Sequence, residues 1–95
     1  MAESKPSKKE AAFGDAKGRG NAAVQAADWW LAVECYTEAL KAAPSTYFEP
    51  EGPAGAVLSN RSLAHLKCGL FEKALQDAND CIKIRPDWSK AHFRR

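Results

Sequence analysis

The chain has 95 residues, of which 45% are hydrophobic and 27% charged, and its formal net charge is +2. That length supports one domain with a modest core. So small an excess of positive charge does not argue for a nucleic-acid partner, no apolar run is long enough to cross a bilayer, and residues 1–12 lack the apolar block of a signal peptide.

Residues 1–12 are polar and mixed in charge, and are expected to form a disordered tail. Abundant alanine, few β-branched residues and apolar residues at helical spacing predict an all-α fold from there on. The first helix is expected from near Phe13 or Gly14 to about Ala26. It carries Gly18 and Gly20, and a glycine inside a helix, which costs about 1 kcal/mol against alanine, is expected to admit a close neighbour. Asp28 is a good N-cap for a second helix, Trp29 to Ala42, with Leu31, Ala32, Cys35, Tyr36, Ala39 and Leu40 in one apolar stripe. Pro44 follows it. Pro50, Gly52 and Pro53 make 45–55 a loop, read as packed on its own aromatics or, alternatively, as a secondary partner surface. A third helix is predicted from about Ala56 to Lys67, stopped by Gly69, and a fourth from Phe71 to Ile84, ended by Pro86. Asp87 or Ser89 would cap a last helix beginning at Lys90.

The second and fourth helices repeat each other. Trp29 pairs with Phe71, Ala32 with Ala74, Ala39 with Cys81, Leu40 with Ile82 and Pro44 with Pro86, each pair 42 residues apart. Such a chain builds its core by stacking copies of one unit. Trp29, Tyr36 and Phe71 are therefore expected in the core, with Trp30 partly exposed and Trp88 packed on the preceding hairpin. Cys35, Cys68 and Cys81 form no CxxC pair and read as small apolar fillers. His65 and His92 lack further ligands at metal-binding spacing and read as packing or groove residues. Glu34 and Glu38 read as a solvated outer face.

Gly20, Ala32, Tyr36, Ala39 and Pro44, followed in the second copy by Ala74, Cys81 and Pro86, resemble the signature of the tetratricopeptide repeat, whose period is about 34 residues. His65 and Ala78 depart from it, standing where aromatics are commoner. The 45–55 loop accounts for the longer spacing here. The resemblance implies helical hairpins stacked as a right-handed α-solenoid over 13–95: hairpin 1 at 13–44, the insertion at 45–55, hairpin 2 at 56–86, and the start of a third unit at 87–95.

In such a fold the first helix of each hairpin lines an inner groove. Lys17 and Asn21 are one turn apart on one such helix, Lys90 and Arg94 repeat that spacing on the last, and Asn60 lies on the helix between them. Two cationic ends flanking an amide suit an anion, since a carboxylate offers several acceptor sites. Lys90 and Arg94 are like charges whose repulsion costs a helix roughly 0.2–0.5 kcal/mol, offset if a carboxylate binds. The five residues resemble the carboxylate-clamp subclass of tetratricopeptide domains. That resemblance implies that Lys17, Asn21, Asn60 and Lys90 hold a terminal carboxylate, with Arg94, together with Lys90, on the neighbouring acidic groups. The ligands would be the Glu-Glu-Val-Asp tails of the seventy- and ninety-kilodalton heat-shock chaperones.

The expected role is thus a cytoplasmic co-chaperone adaptor, with no enzymatic activity, cofactor, metal or nucleic acid, and no membrane contact within this segment. Two alternatives are a scaffold that binds an internal segment of another protein and part of a precursor receptor on an organelle surface. Self-association through the uncapped C-terminal end is a further expectation, because terminal repeats expose apolar area.

Overall fold

A computed structural model describes residues 7–85; the third unit, with Trp88, Lys90, His92 and Arg94, lies outside them. The described residues form four α-helices, α1 (Lys8–Gln25), α2 (Trp29–Ala42), α3 (Ala54–Lys67) and α4 (Phe71–Ile84), with a short 3-10 helix at Ser45–Phe48. Two helical hairpins result: α1 packs on α2, α3 on α4, and α2 against α3. The second and fourth helices have the expected limits.

α1 starts earlier than expected, so that residues 8–12, assigned to the tail from the sequence, are its first turns. Ser7 and Glu10 form a reciprocal capping box: the Glu10 amide donates to Ser7 Oγ at 3.1 Å, and the Ser7 amide donates to Glu10 Oε1 at 2.8 Å. Two orphan donors are thereby satisfied, and a polar segment becomes helical without burying apolar surface. Asp28 caps α2, its Oδ1 accepting from the Leu31 amide. Ala43 is extended, as a residue before proline must be to clear the ring, which ends α2. α3 begins at Ala54, two residues before the expected start, because Ala54 and Gly55 are buried in its first turn rather than left in the loop.

The core joins Phe13, Ala16 and Ala23 of α1 to Ala32, Tyr36 and Ala39 of α2 and Val57 and Ala64 of α3. So many alanines imply close helix approach, and Gly20 marks the closest point. A Cβ built there would lie 2.5 Å from Tyr36 Cε1, so only glycine admits the ring. Gly18, by contrast, faces open space. In the second copy Ser62 takes the place of Gly20, and its hydroxyl donates to the Ala74 carbonyl of α4 at 2.7 Å.

The insertion does not pack only on itself. Tyr47 meets Phe13 of α1 edge to face, with centroids 4.8 Å apart, and Arg85 Nη2 donates to the Gly52 carbonyl at 2.9 Å. The loop is thus tied to both the first helix and the end of the last described one.

Phe71 departs from expectation, being 65% exposed. Its counterpart Trp29 packs against the core, with the Lys67 ammonium of α3 5.7 Å from its ring centroid. Among the described residues no helix stands beside α4 as α3 stands beside α2, so the position that buries an aromatic in the first copy leaves one exposed in the second. Trp30 is exposed, as expected, and Leu31, placed in the apolar stripe, is exposed as well.

Candidate functional site

Tyr36 projects from α2 between the first helices of the two hairpins. Its side chain is buried, and its hydroxyl donates to Asn21 Oδ1 of α1 at 2.5 Å. The Asn60 side chain of α3 stands near the same hydroxyl. A phenol has one hydrogen, which goes to Asn21, so the oxygen is left as an acceptor on the Asn60 side. Burial, the larger influence, pushes the Tyr36 pKa above the ordinary 10.0, and the neighbouring Asn60 side chain opposes it. Two of the five expected site residues are therefore brought together across one oxygen, although 39 residues separate them in the chain.

Lys17 lies one turn before Asn21 on α1, half-buried. Among the described residues it has no hydrogen-bond or ion-pair partner. The nearby arginines do. Arg19 pairs with Glu38 at 2.9 Å and Asp15 at 3.3 Å across the exposed surface, and reaches Cys35 Sγ at 3.7 Å. Arg61, next to Asn60, grips Asp77 of α4 through two parallel bonds of 2.8 and 2.7 Å and donates to Thr37 Oγ1 of α2 at 3.0 Å. Of these cations, Lys17 is the one left to meet an anion. Lys90 and Arg94 lie outside the described residues.

Sequence reasoning missed the support beneath the site. Asp77 is almost fully buried, with Arg61 on both oxygens and His65 Nδ1 at 2.9 Å from Oδ2. A carboxylate only accepts, so Nδ1 carries the hydrogen. This places His65 in an interior network rather than in the groove. The network ties α3 to α4, and through Thr37 to α2, which fixes the turn of α3 that carries Asn60. One signal was available: Arg61 is the counterpart of Arg19, 42 residues on, while the small buried Cys35 is replaced in the second copy by the charged Asp77.

Cys81 is buried, donates to the Gly55 carbonyl at 3.3 Å, and has its thiol pKa pushed up by burial, with Arg85 acting the other way. The three cysteines are free. Among the described residues no three His, Cys, Asp or Glu side chains cluster as metal ligands, and no helix is long and apolar enough to cross a membrane.

No family profile matches the chain, and no solved structure does. It is similar to heat shock protein STI1 of Saccharomyces cerevisiae, 40% identical over 82% of this chain and 12% of that protein. It is also similar to Hsp70-Hsp90 organizing protein 2 of Arabidopsis thaliana, 34% identical over 80% of this chain and 12% of that protein. A third relative is tetratricopeptide repeat protein 28 of Mus musculus, 32% identical over 95% of this chain and 3% of that protein. The chain thus spans about an eighth of the first two relatives and less of the third. With its internal repeat, paired helical hairpins and these relatives, the chain belongs to the tetratricopeptide-repeat family.

Proposed function

We propose that this domain is a co-chaperone adaptor that binds the C-terminal Glu-Glu-Val-Asp tail of cytosolic seventy- and ninety-kilodalton heat-shock chaperones, without catalysis. The observation that carries this reading is the convergence of the Asn21 and Asn60 side chains on the Tyr36 hydroxyl, one turn from Lys17, which has no partner among the described residues. Two amides and an ammonium on the first helices of successive hairpins form a donor-rich surface that suits a carboxylate. Lys90 and Arg94 would complete it, Lys90 on the terminal carboxylate and Arg94 on the acidic groups before it. Relatives whose names include heat-shock and Hsp70-Hsp90 organizing proteins support the choice of partner.

Charge-assisted hydrogen bonds contribute about 1.5–3 kcal/mol each, so an extended peptide held by several falls in the micromolar class, near −8 kcal/mol. The test is calorimetric titration of the 95-residue chain with a peptide ending in Glu-Glu-Val-Asp and with the same peptide amidated at its C-terminus. Amidation is expected to weaken binding at least tenfold, as is Lys90→Ala or Arg94→Ala. Equal affinity for the free and amidated peptides would instead favour a scaffold that takes internal segments.

A further inference from the structure

We infer that Tyr36 is a positioning residue of this site, fixing Asn21 so that its amide nitrogen, and not its carbonyl, faces the ligand. The inference rests on the carboxylate-binding reading for its affinity arm only. An asparagine side chain is ambivalent, because one end accepts and the other donates, and on an exposed helix face the two ends exchange by rotation about the last side-chain bond. Asn21 is exposed on α1, and nothing in its own helix chooses between them. The Tyr36 hydroxyl does choose: it donates to Oδ1, which leaves both hydrogens on Nδ2 directed away from the ring.

The hydroxyl is itself oriented. Its single hydrogen lies in the bond to Asn21 Oδ1, which leaves the phenol oxygen an acceptor on the side where Asn60 stands. The bond therefore runs in one direction, from the Tyr36 hydrogen to the Asn21 carbonyl. Each end is braced. Gly20, the residue before Asn21, lets the ring lie directly on α1, and Arg61, the residue after Asn60, is locked by Asp77 and Thr37. In the second copy Ala78 stands in the place of Tyr36, so the device belongs to the first hairpin.

The consequence is specificity for an acceptor. With its carbonyl engaged, Asn21 offers a ligand donors only, which suits a free carboxylate and disfavours an amidated end or an amine. Tyr36→Phe keeps the ring that fills the space beside Gly20 and removes only the oxygen. It is expected to weaken binding of the carboxylate-ended peptide roughly threefold to tenfold, the range of one hydrogen bond's net worth, and to narrow the preference for the free over the amidated peptide.

The decisive form of the experiment is a double-mutant cycle in the full chain. In an Asn21→Ala background, Tyr36→Phe should cost no further affinity, because its effect passes through Asn21. Independent, additive losses would overturn the inference, and so would unchanged affinity in the single variant while the wild type binds. A second readout needs neither ligand nor variant. In the nuclear magnetic resonance spectra of the wild-type chain, the Tyr36 hydroxyl hydrogen should exchange slowly with water, and the Asn21 side-chain amide hydrogens should show no contacts to the Tyr36 ring edge beside that hydroxyl. Contacts from the Asn21 amide hydrogens would overturn the positioning role. If the wild-type chain ignored the peptide yet showed this pattern, the carboxylate reading would fail and the positioning of Asn21 would stand.

Discussion

Ala27 and Gly69 occupy the same place in the two copies, 42 residues apart, and both have left-handed backbone, with φ of 58° and 80°. Each closes the turn of its hairpin in the same way. The Asp28 amide donates to the Ala23 carbonyl at 2.8 Å and the Leu70 amide to the His65 carbonyl at 2.8 Å, with the shorter-range bonds Ala27 to Val24 and Gly69 to Leu66 inside them. This is the helix-ending motif that favours glycine. The first copy uses alanine, whose Cβ crowds the following carbonyl in that conformation.

Ala27→Gly should therefore stabilise the domain by about 1 kcal/mol, seen as a rise of roughly 4–8 °C in the thermal midpoint. The reverse change, Gly69→Ala, should lower the midpoint by a similar amount. A fall on Ala27→Gly would mean that the turn is held by something other than local backbone preference.

Gly20→Ala inserts a methyl group against the Tyr36 ring, where the built Cβ lies 2.5 Å from Cε1. Overpacking of this kind costs about 1–3 kcal/mol. Because the ring carries the hydroxyl between the two asparagines, the variant should also bind the peptide more weakly than its stability loss alone would cause. Gly18→Ala meets nothing within 4 Å and should leave both properties unchanged or slightly improved.

Asp77→Ala should be among the most damaging single changes in the chain. It removes the acceptor for a largely buried Arg61, whose side chain is 19% exposed, and breaking such a pair from one side costs about 3–5 kcal/mol. Glu38→Ala removes the partner of the exposed Arg19 and should leave the midpoint within error, since exposed pairs are screened. Chemical denaturation of the two variants checks the contrast.

Lys17→Ala should weaken peptide binding at least tenfold, whereas Arg19→Ala, two residues away, should not. Arg19 is engaged by Glu38 and Asp15; Lys17 has no such partner among the described residues. Raising the salt concentration should shrink the Lys17 effect, as expected for an ion pair formed near the surface.

Stability should fall on the alkaline side. Burial raises the pKa values of Cys81 and Tyr36 in the folded state above their ordinary values of 9.0 and 10.0. Their contribution is fully present below those ordinary values and is lost as pH rises through the folded ones, because the unfolded chain releases these protons first. Denaturation midpoints should therefore decline from about pH 9 upward. Cys81→Ala should flatten the start of that decline and Tyr36→Phe its later part.

Periodicity alone carries a good deal here. The limits of α2 and α4, the stop at Gly69 and the close approach at Gly20 all follow from local rules, in which a cap, a proline or a small residue acts within one or two turns. The start of α1 was also legible, in the spacing of Ser7 and Glu10, but a polar composition masked it. Exposure of Phe71 could not be read from its own segment, since the same apolar position is covered in one copy and open in the other. What covers it is a neighbouring helix, not the local sequence.

The site divides in the same way. Helical spacing is a property of the chain, so the sequence by itself determined that Lys17 and Asn21 share a face and that Asn60 lies on the corresponding helix of the next unit. Only the tertiary structure decided that the Asn21 and Asn60 side chains meet on Tyr36, that Asp77 is buried under Arg61 and His65, and that Arg19 is already paired. These contacts span 12 to 24 residues of chain and depend on how closely helices pack, as the missing Cβ at Gly20 shows for the Tyr36 ring on α1. Hydrogen-bond direction is a further step removed, since it emerges only when the hydroxyl of one helix and the acceptor of another are in place together.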